Sequence, residues 1–263
     1  MSYSTLNFEV SERIGVVTFT NEKRLNAISE QRLSELEAVL GLLEQDADIG
    51  ALIFHGGEGK AFCVGLDLDL LDRAFDDVAY FEVVVRRLSA IVCRIEGLPF
   101  PTLAAVNGYT RAGGFELTLG CDFIFIADEA KYGDVHTDAG VIPAFSSLRL
   151  ARRIGEQRAK DLIFSARWLT GAEAVAAGVA LRSVPRKELL RTAREYLRNM
   201  IDKPRACLTS VKRVFQELSR EQAQAGAELE LELFVRYMRD QPYGREGYRA
   251  YRENRSPRWK STG

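Results

Sequence analysis

The sequence has little of several residue types, and each scarcity excludes a class of protein. Its 263 residues include two histidines and four widely spaced cysteines without a Cys-x-x-Cys pair, so neither a metal cluster nor a disulfide framework is expected. Its 36 basic and 37 acidic side chains leave a net charge of −1, which provides no general basic surface for nucleic acid. No uncharged apolar run approaches the ~20 residues of a membrane span. Residues 1–10 lack the basic and apolar regions of a signal peptide, so we expect a soluble, cytoplasmic protein.

Apolar patterns predict strands that alternate with helices up to about residue 185, followed by helices only. Four short apolar runs are typical of buried strands: residues 14–20, 51–55, 102–106 and 123–127. Ser29 can cap a helix with leucines at helical spacing, and residues 78–96 and 205–237 have helical periodicity. The alternation predicts an α/β fold with parallel strands joined by crossover helices. We expect residues 1–190 to form the core and residues 191–263 a C-terminal helical region.

Two glycine-containing turns each connect a predicted strand to a predicted helix. In the first, Gly65 permits a bend that leaves the next backbone amide, that of Leu66, unpaired and outward. The second turn, within residues 106–122, also opens a helix, whose first amides have no internal acceptor. If the two turns face each other, two backbone amides form an oxyanion hole. Because glycine is common between strands and helices, the alternative is that both turns are ordinary strand–helix connections without a joint role.

Five segments carry motifs in a recognisable order. They are Lys23–Ala27 (KRLNA), Ala61–Leu68 (AFCVGLDL), Ala104–Asp122, Trp168–Gly178 and Arg245–Gly247. In order and spacing these segments resemble the motifs of the crotonase family (enoyl-CoA hydratase/isomerase), over nearly the whole chain. The resemblance implies a spiral of ββα units followed by helices that form trimers, commonly paired into hexamers. This organisation agrees with the helical C-terminal region that the apolar pattern predicts.

The resemblance also implies roles for individual residues. The amides of Leu66 and Gly113 would form the oxyanion hole, which polarises a thioester carbonyl and stabilises its enolate. Glu116 matches the first catalytic glutamate of the hydratases. Coenzyme A, as part of the substrate and with no other cofactor, would bind along the residues Lys23, Arg24, Leu25, Ala27, Val64, Asp67 and Leu68. For Lys23 and Arg24, a solvated basic pair is the alternative interpretation.

The main departure from the family lies at the second catalytic position, where His136 stands in place of a glutamate. Apolar neighbours predict a raised pKa for Glu116, suited to acid–base catalysis, although it could also only stabilise the helix dipole. A neutral His136 could accept a proton from water, whereas a protonated His136 would hold Glu116 ionised. Asp138, two residues further on, could orient the imidazole or act itself, and an ordinary surface carboxylate is the alternative interpretation. The alternative interpretation of His136 is a histidine with a structural role only, and we assign His55 to that class.

The leading functional hypothesis is hydration of a 2-enoyl-CoA by Glu116 and His136 in a homo-oligomer. Three alternatives stay open: double-bond isomerisation by one base, hydrolysis of an acyl-CoA or β-diketone with water activated by His136, and acyl-CoA binding without catalysis. A dinucleotide-binding fold would need a glycine-rich turn after the first strand, where Gly15 stands alone. We expect no metal, nucleic acid or membrane partner.

Overall fold

The computed structural model describes residues 3–241 and 243–258 of the chain. These residues contain the strands β1 (Leu6–Ser11), β2 (Ile14–Phe19), β3 (Ala51–His55), β4 (Ala61–Cys63), β5 (Thr102–Val106), β6 (Tyr109–Arg111), β7 (Phe123–Ala127), β8 (Tyr132–Gly133) and β9 (Arg182–Val184). They form a six-stranded sheet, ordered β1-β2-β3-β5-β7-β9, and a three-stranded sheet, ordered β4-β6-β8. Among the described strands only the β1–β2 pair is antiparallel.

Helices separate the strands and complete the described chain. They are α1 (Glu30–Gln45), α2 (Leu68–Asp76), α3 (Val78–Gly97), α4 (Gly113–Leu119), α5 (Ser146–Ile154), α6 (Glu156–Ser165), α7 (Gly171–Ala177), α8 (Arg186–Ile201), α9 (Arg205–Asp240) and α10 (Tyr243–Arg252). After β9 the described residues form helices without a further strand. The predicted α/β class, with parallel strands and a C-terminal helical region, is therefore confirmed.

Local sequence signals explain where helices begin. The Ser29 hydroxyl accepts a hydrogen bond from the Arg32 amide (3.2 Å) and caps α1. The leucines of α1 at helical spacing are buried in the hydrophobic core: Leu33, Leu36, Leu40 and Leu43. Thr170 and Glu173 form a reciprocal capping box at the start of α7. In each case a short side chain satisfies an amide that the helix itself cannot pair.

Strand β1 and its hairpin with β2 are not predicted by the sequence pattern. The two turn residues, Glu12 and Arg13, have φ angles of 52° and 64°. Tight two-residue hairpins require such positive angles and usually place Asn, Asp or Gly there. Because Glu and Arg do not signal a turn, the hairpin is not visible in the residue types.

The three-stranded sheet brings separate parts of the chain to one edge. Strands β4, β6 and β8 are parallel, so their carboxyl ends lie at the same side. The chain leaves β4 towards Gly65 and Leu66, leaves β6 towards Gly113, and leaves β8 towards residues 134–136. Segments that are far apart in sequence therefore meet at this edge.

The C-terminal helices cover different surfaces of the body. Helix α8 packs on strands of the large sheet, α9 crosses α3 and α5, and α10 packs on the short helical turn Thr137–Ala139. The expected boundary at residue 190 falls inside α8, and the division of the chain there stays a prediction. None of the described helices combines the length and apolar character needed to cross a membrane.

Candidate active site

Two turns meet at the carboxyl edge of the small sheet. The Ile28 amide donates to the Gly65 carbonyl (2.8 Å), and the Asp67 amide donates to the Ile28 carbonyl (2.9 Å). Because these bonds use the neighbours of Leu66, the Leu66 amide points away from Ile28. Gly65 has a φ of 89°, and a Cβ on it would lie 3.2 Å from the Gly113 nitrogen. Glycine thus permits both the bend and the close approach of the two turns.

The second turn contains a strained residue. Ala112 has a φ of 47° and a ψ of −125°, a combination that alanine rarely adopts. Its amide donates to the Asp134 carbonyl (3.0 Å), which links the turn to the segment after β8. Gly113 is the first residue of α4, so its amide has no acceptor within the helix. Leu66 and Gly113, the expected donors of an oxyanion hole, therefore lie on adjacent turns.

Glu116 is buried on the first turn of α4. Its Oε1 accepts hydrogen bonds from the amides of Ala144 (3.1 Å) and Phe145 (3.0 Å), while its Oε2 lies 4.0 Å from Nε2 of His136. Burial raises the pKa of Glu116 to about 7, against the opposing effect of the His136 charge. One oxygen is thus held by the backbone, and the other faces His136 with a proton affinity suited to exchange near neutral pH.

His136 is held from its other ring nitrogen by Asp134. Nδ1 of His136 lies 2.8 Å from Oδ1 of Asp134, and Oδ2 of Asp134 accepts a hydrogen bond from the Ser146 hydroxyl (2.5 Å). Burial alone would lower the pKa of His136, but the charges of Asp134 and Glu116 outweigh it and raise that pKa to about 9. The pKa of buried Asp134 is lowered by the His136 charge and by hydrogen bonds despite desolvation. The charges around His136 therefore favour its protonated form.

Two details narrow the alternatives that the sequence left open. The carboxylate that contacts the imidazole is Asp134 rather than Asp138, which lies on the helical turn Thr137–Ala139 beyond His136. Of the two protonation states considered for His136, the protonated ring is favoured, because a buried carboxylate lies on each side of it. Asp134 was missed by the sequence analysis, although it stands as near to His136 in sequence as Asp138 does.

Helix α10 closes over the segment that carries His136. A Cβ on Gly247 would lie 2.0 Å from the Ala139 carbonyl oxygen, so only glycine allows this contact. The Tyr237 hydroxyl donates to the Gly140 carbonyl (2.9 Å) from the end of α9. The C-terminal helices thereby fix the turn that follows His136.

The two segments expected to bind coenzyme A lie side by side. Pairing between Ile28 and Leu66 sets Lys23–Ala27 next to Val64–Leu68. Arg24 is half exposed and pairs with Asp67 (2.8 Å) and Asp69 (2.7 Å). The Arg24 guanidinium therefore links the two segments, and its charge is partly neutralised before any phosphate binds.

Other residues of these segments have local roles. The carboxylate of Asp67 caps α2, where it accepts from the Asp69 amide (3.0 Å), and the Val64 carbonyl accepts from Nε of Arg111 (3.2 Å). Leu25 has a φ of 51° and an exposed side chain, whereas Ala27 is buried. Within residues 3–241 and 243–258, no cluster of three or more His, Cys, Asp or Glu side chains could hold a metal ion.

Comparison with known proteins identifies relatives of similar length. Residues 9–262 match the family model described as enoyl-CoA hydratase/isomerase. The chain is 36% identical over 195 residues to a probable enoyl-CoA hydratase of Mycobacterium bovis, covering 74% of each chain. It is 31% identical over 265 residues to a probable mitochondrial enoyl-CoA hydratase of Dictyostelium discoideum, covering 98% of this chain and 91% of the relative.

Solved structures share the whole architecture. An enoyl-CoA hydratase from Bacillus anthracis superimposes with a TM-score of 0.78 at 28% identity, covering 98% of this chain and 99% of that one. An enoyl-CoA hydratase/isomerase from Xanthobacter autotrophicus Py2 gives a TM-score of 0.87 at 24% identity over 96% of this chain and 94% of that one. The latter likeness carries information about the fold alone.

Proposed function

Because the chain belongs to the enoyl-CoA hydratase/isomerase family, we propose that it adds water to 2-enoyl-CoA thioesters, with Glu116 and His136 as the acid–base pair. One observation carries the proposal: Oε2 of Glu116 and Nε2 of His136 lie 4.0 Å apart, beside the turns that carry Leu66 and Gly113. This separation is too long for a direct hydrogen bond but fits one water molecule that bonds to both groups.

The proposed reaction begins with polarisation of the thioester carbonyl by the amides of Leu66 and Gly113. Polarisation withdraws electrons from the conjugated double bond and makes the β carbon electrophilic. Ionised Glu116 then takes a proton from water as its oxygen bonds to the β carbon, which leaves an enolate at the α carbon. The imidazolium of His136 donates its Nε2 proton to the α carbon, and the 3-hydroxyacyl-CoA is complete.

One turnover leaves Glu116 protonated and His136 neutral. A proton must therefore pass from Glu116 to His136 before the next cycle. This transfer is favourable because burial disfavours the charge on Glu116 while the carboxylate of Asp134 favours the charge on His136, and a water molecule between the two groups provides a short path. The pair thus restores its own starting state, and we propose that no cofactor beyond the coenzyme A of the substrate takes part.

Coenzyme A is proposed to bind along Lys23–Ala27 and Val64–Leu68, with Leu25 exposed at the surface of the first segment. Lys23 and Arg24 are the proposed phosphate contacts, and the two carboxylates on Arg24 reduce what it adds to binding.

Isomerisation is the second candidate, and one observation favours it. A double-bond shift needs a single base, and Glu116 is placed to be one, with Oε1 held by two backbone amides and Oε2 facing His136. Activation of water by His136, as hydrolysis would require, is disfavoured because the charges of Asp134 and Glu116 favour the protonated ring. The two candidates differ in whether the conjugated double bond is lost as water adds.

The proposal extends to assembly and compartment. A homotrimer or hexamer is supported by apolar side chains exposed on α9: Val211, Val214, Phe215, Leu229 and Leu233. Analytical ultracentrifugation should give a trimer or a hexamer, and a monomer at micromolar concentration would contradict the proposed assembly.

A cytoplasmic location is supported by cysteines that are all unpaired, and cell fractionation would test it.

The test of function follows enoyl absorbance with crotonyl-CoA and longer or aryl enoyl-CoA esters. Glu116→Gln keeps the size of the side chain but removes the base, so we expect hydration to fall by about 10²-fold or more. Glu173→Gln is the matched control, because Glu173 serves only the exposed cap of α7, and its rate should stay at the wild-type level. Full hydration activity in Glu116→Gln would refute the proposed chemistry. Saturable ester binding without loss of absorbance would favour isomerisation or a binding module.

A further inference from the structure

We propose that Asp134 is a positioning residue of this site: through Nδ1 it holds His136 as a proton donor whose Nε2 faces Glu116. The inference rests on the proposed hydration and adds to it the group that sets the role of the histidine. A carboxylate in place of His136 would need no such partner, whereas an imidazole must have its tautomer and charge fixed before it can act as an acid.

The hydrogen bonds around Asp134 determine which nitrogens of the His136 ring carry protons. Oδ1 of Asp134 lies 2.8 Å from Nδ1 of His136 and also accepts from the His136 amide (3.3 Å). Oδ2 accepts from the Ser146 hydroxyl (2.5 Å), so both carboxylate oxygens are occupied. Because a carboxylate only accepts, Nδ1 must carry a proton. The second ring proton of the imidazolium is then on Nε2, on the side of Glu116.

The backbone between the two residues is strained in a way that supports this contact. Val135 has a φ of 52°, an angle that β-branched residues rarely adopt. In an extended strand the side chains of Asp134 and His136 would share a face at a distance set by the pleat. Here a residue with positive φ stands between the two, and the carboxylate meets the ring. Strain of this kind persists where the surrounding structure enforces it, and it is typical of functional sites.

The charges around His136 come from several elements. Asp134 follows β8, Glu116 lies on α4 and Arg111 lies at the end of β6, where its charge opposes protonation of His136. Glu230 on α9 acts on Glu116 and so on the same pair. Asp134 has a fully buried side chain and the shortest contact with the ring. Loss of its charge would leave Glu116 as the one close counter-charge of the imidazolium.

The kinetic test compares Asp134→Asn with Asp138→Asn, which makes the same change on the other side of His136. We expect Asp134→Asn to lower kcat for hydration about tenfold or more near pH 8, with KM changed less than about threefold. The alkaline limb of its rate profile should move to lower pH by about one unit or more, while Asp138→Asn keeps the wild-type limb. A purely structural Asp134 would lower activity without moving that limb, and this result would overturn the proposal.

A second readout does not depend on turnover. The chain has two histidines, so histidine-selective ¹⁵N labelling gives two sets of ring signals in NMR spectra. We expect His136 to titrate at lower pH in Asp134→Asn, and to shift less in Ser146→Ala, which keeps the Asp134 charge and removes one hydrogen bond. An unshifted titration in both variants would overturn the proposal even in an active hydratase. A shifted titration in a protein that hydrates no enoyl-CoA would support the positioning and contradict the proposed function.

Discussion

One histidine ends a strand of the large sheet and the other follows a strand of the small sheet, and their surroundings shift their pKa values in opposite directions. His55 ends β3 of the large sheet, where its Nδ1 accepts from the Gly57 amide (3.1 Å). Burial and the charge of Arg186 lower the pKa of His55 to about 4. His136 follows β8 of the small sheet, where its Nδ1 meets Asp134 and its pKa is about 9.

The difference shows that burial alone does not decide the state of a histidine. Both rings are largely shielded from water, and desolvation disfavours the charge on each. At His55 the partner is a backbone donor, which requires an unprotonated nitrogen. At His136 the partners are carboxylates, whose charges reverse the outcome. The first arrangement holds a turn, and the second fits the proposed role of His136 as a proton donor.

The largest expected effect is on catalysis. His136→Gln removes the proposed proton donor, so we expect kcat for hydration to fall by about 10²-fold or more. His55→Gln makes the same change at the other histidine and should leave kcat within about twofold, because His55 lies at the end of β3 and takes no part in the proposed chemistry. Initial rates on one enoyl-CoA ester, with circular dichroism as a check of folding, measure both. Equal losses of kcat in the two variants would contradict the separate roles assigned to His136 and His55.

A smaller effect, opposite in sign for the two residues, is expected in the pH dependence of stability. The raised pKa of His136 adds stability below its ordinary value of 6.5, and this is lost as pH rises towards about 9. The lowered pKa of His55 adds stability above 6.5, and this is lost as pH falls towards about 4. Each contribution should be on the order of 1–3 kcal/mol.

Urea unfolding of His136→Gln and His55→Gln across this pH range measures the two contributions. Relative to wild type, the His136 variant should flatten the alkaline side of the stability curve and the His55 variant the acid side. If both variants flatten the same side of the stability curve, the assigned charge states are contradicted.

The smallest expected effect concerns Arg186. Its guanidinium donates to the carbonyls of Glu58 and Gly59 and contributes less than burial to the lowered pKa of His55. Arg186→Gln should therefore raise the pKa of His55 only slightly towards its ordinary value. The titration of His136, at the end of the other sheet, should not change. A large shift of His55 would mean that charge rather than burial controls it.

Much of the fold could be predicted because its signals are local. The cap at Ser29 and the apolar strand at Ala51–His55 depend on neighbouring residues and appear in the structure as expected. The turn at Gly65 is visible for the same reason, since few residues other than glycine adopt its backbone angles. Glu116 follows as a residue of the first turn of α4.

The partner of the imidazole could not be predicted in this way. Asp134 and Asp138 each stand two residues from His136, and no propensity distinguishes them. The residue between Asp134 and His136, Val135, has a positive φ, and residue types predict the opposite for a valine. The segment is also tied to a distant part of the chain by the bond from the Ala112 amide to the Asp134 carbonyl. Such a feature follows from the assembled tertiary structure rather than from a pattern along the chain.

The most direct measurement is an NMR titration of the wild-type protein with ¹⁵N-labelled histidine, from about pH 4 to about pH 10. His55→Gln assigns the two sets of ring signals. The structure predicts that His136 is protonated at neutral pH and titrates near 9, while His55 is neutral and titrates near 4. If His136 instead titrates at or below its ordinary value of 6.5, the imidazolium, and with it the proposed proton donor, would be contradicted.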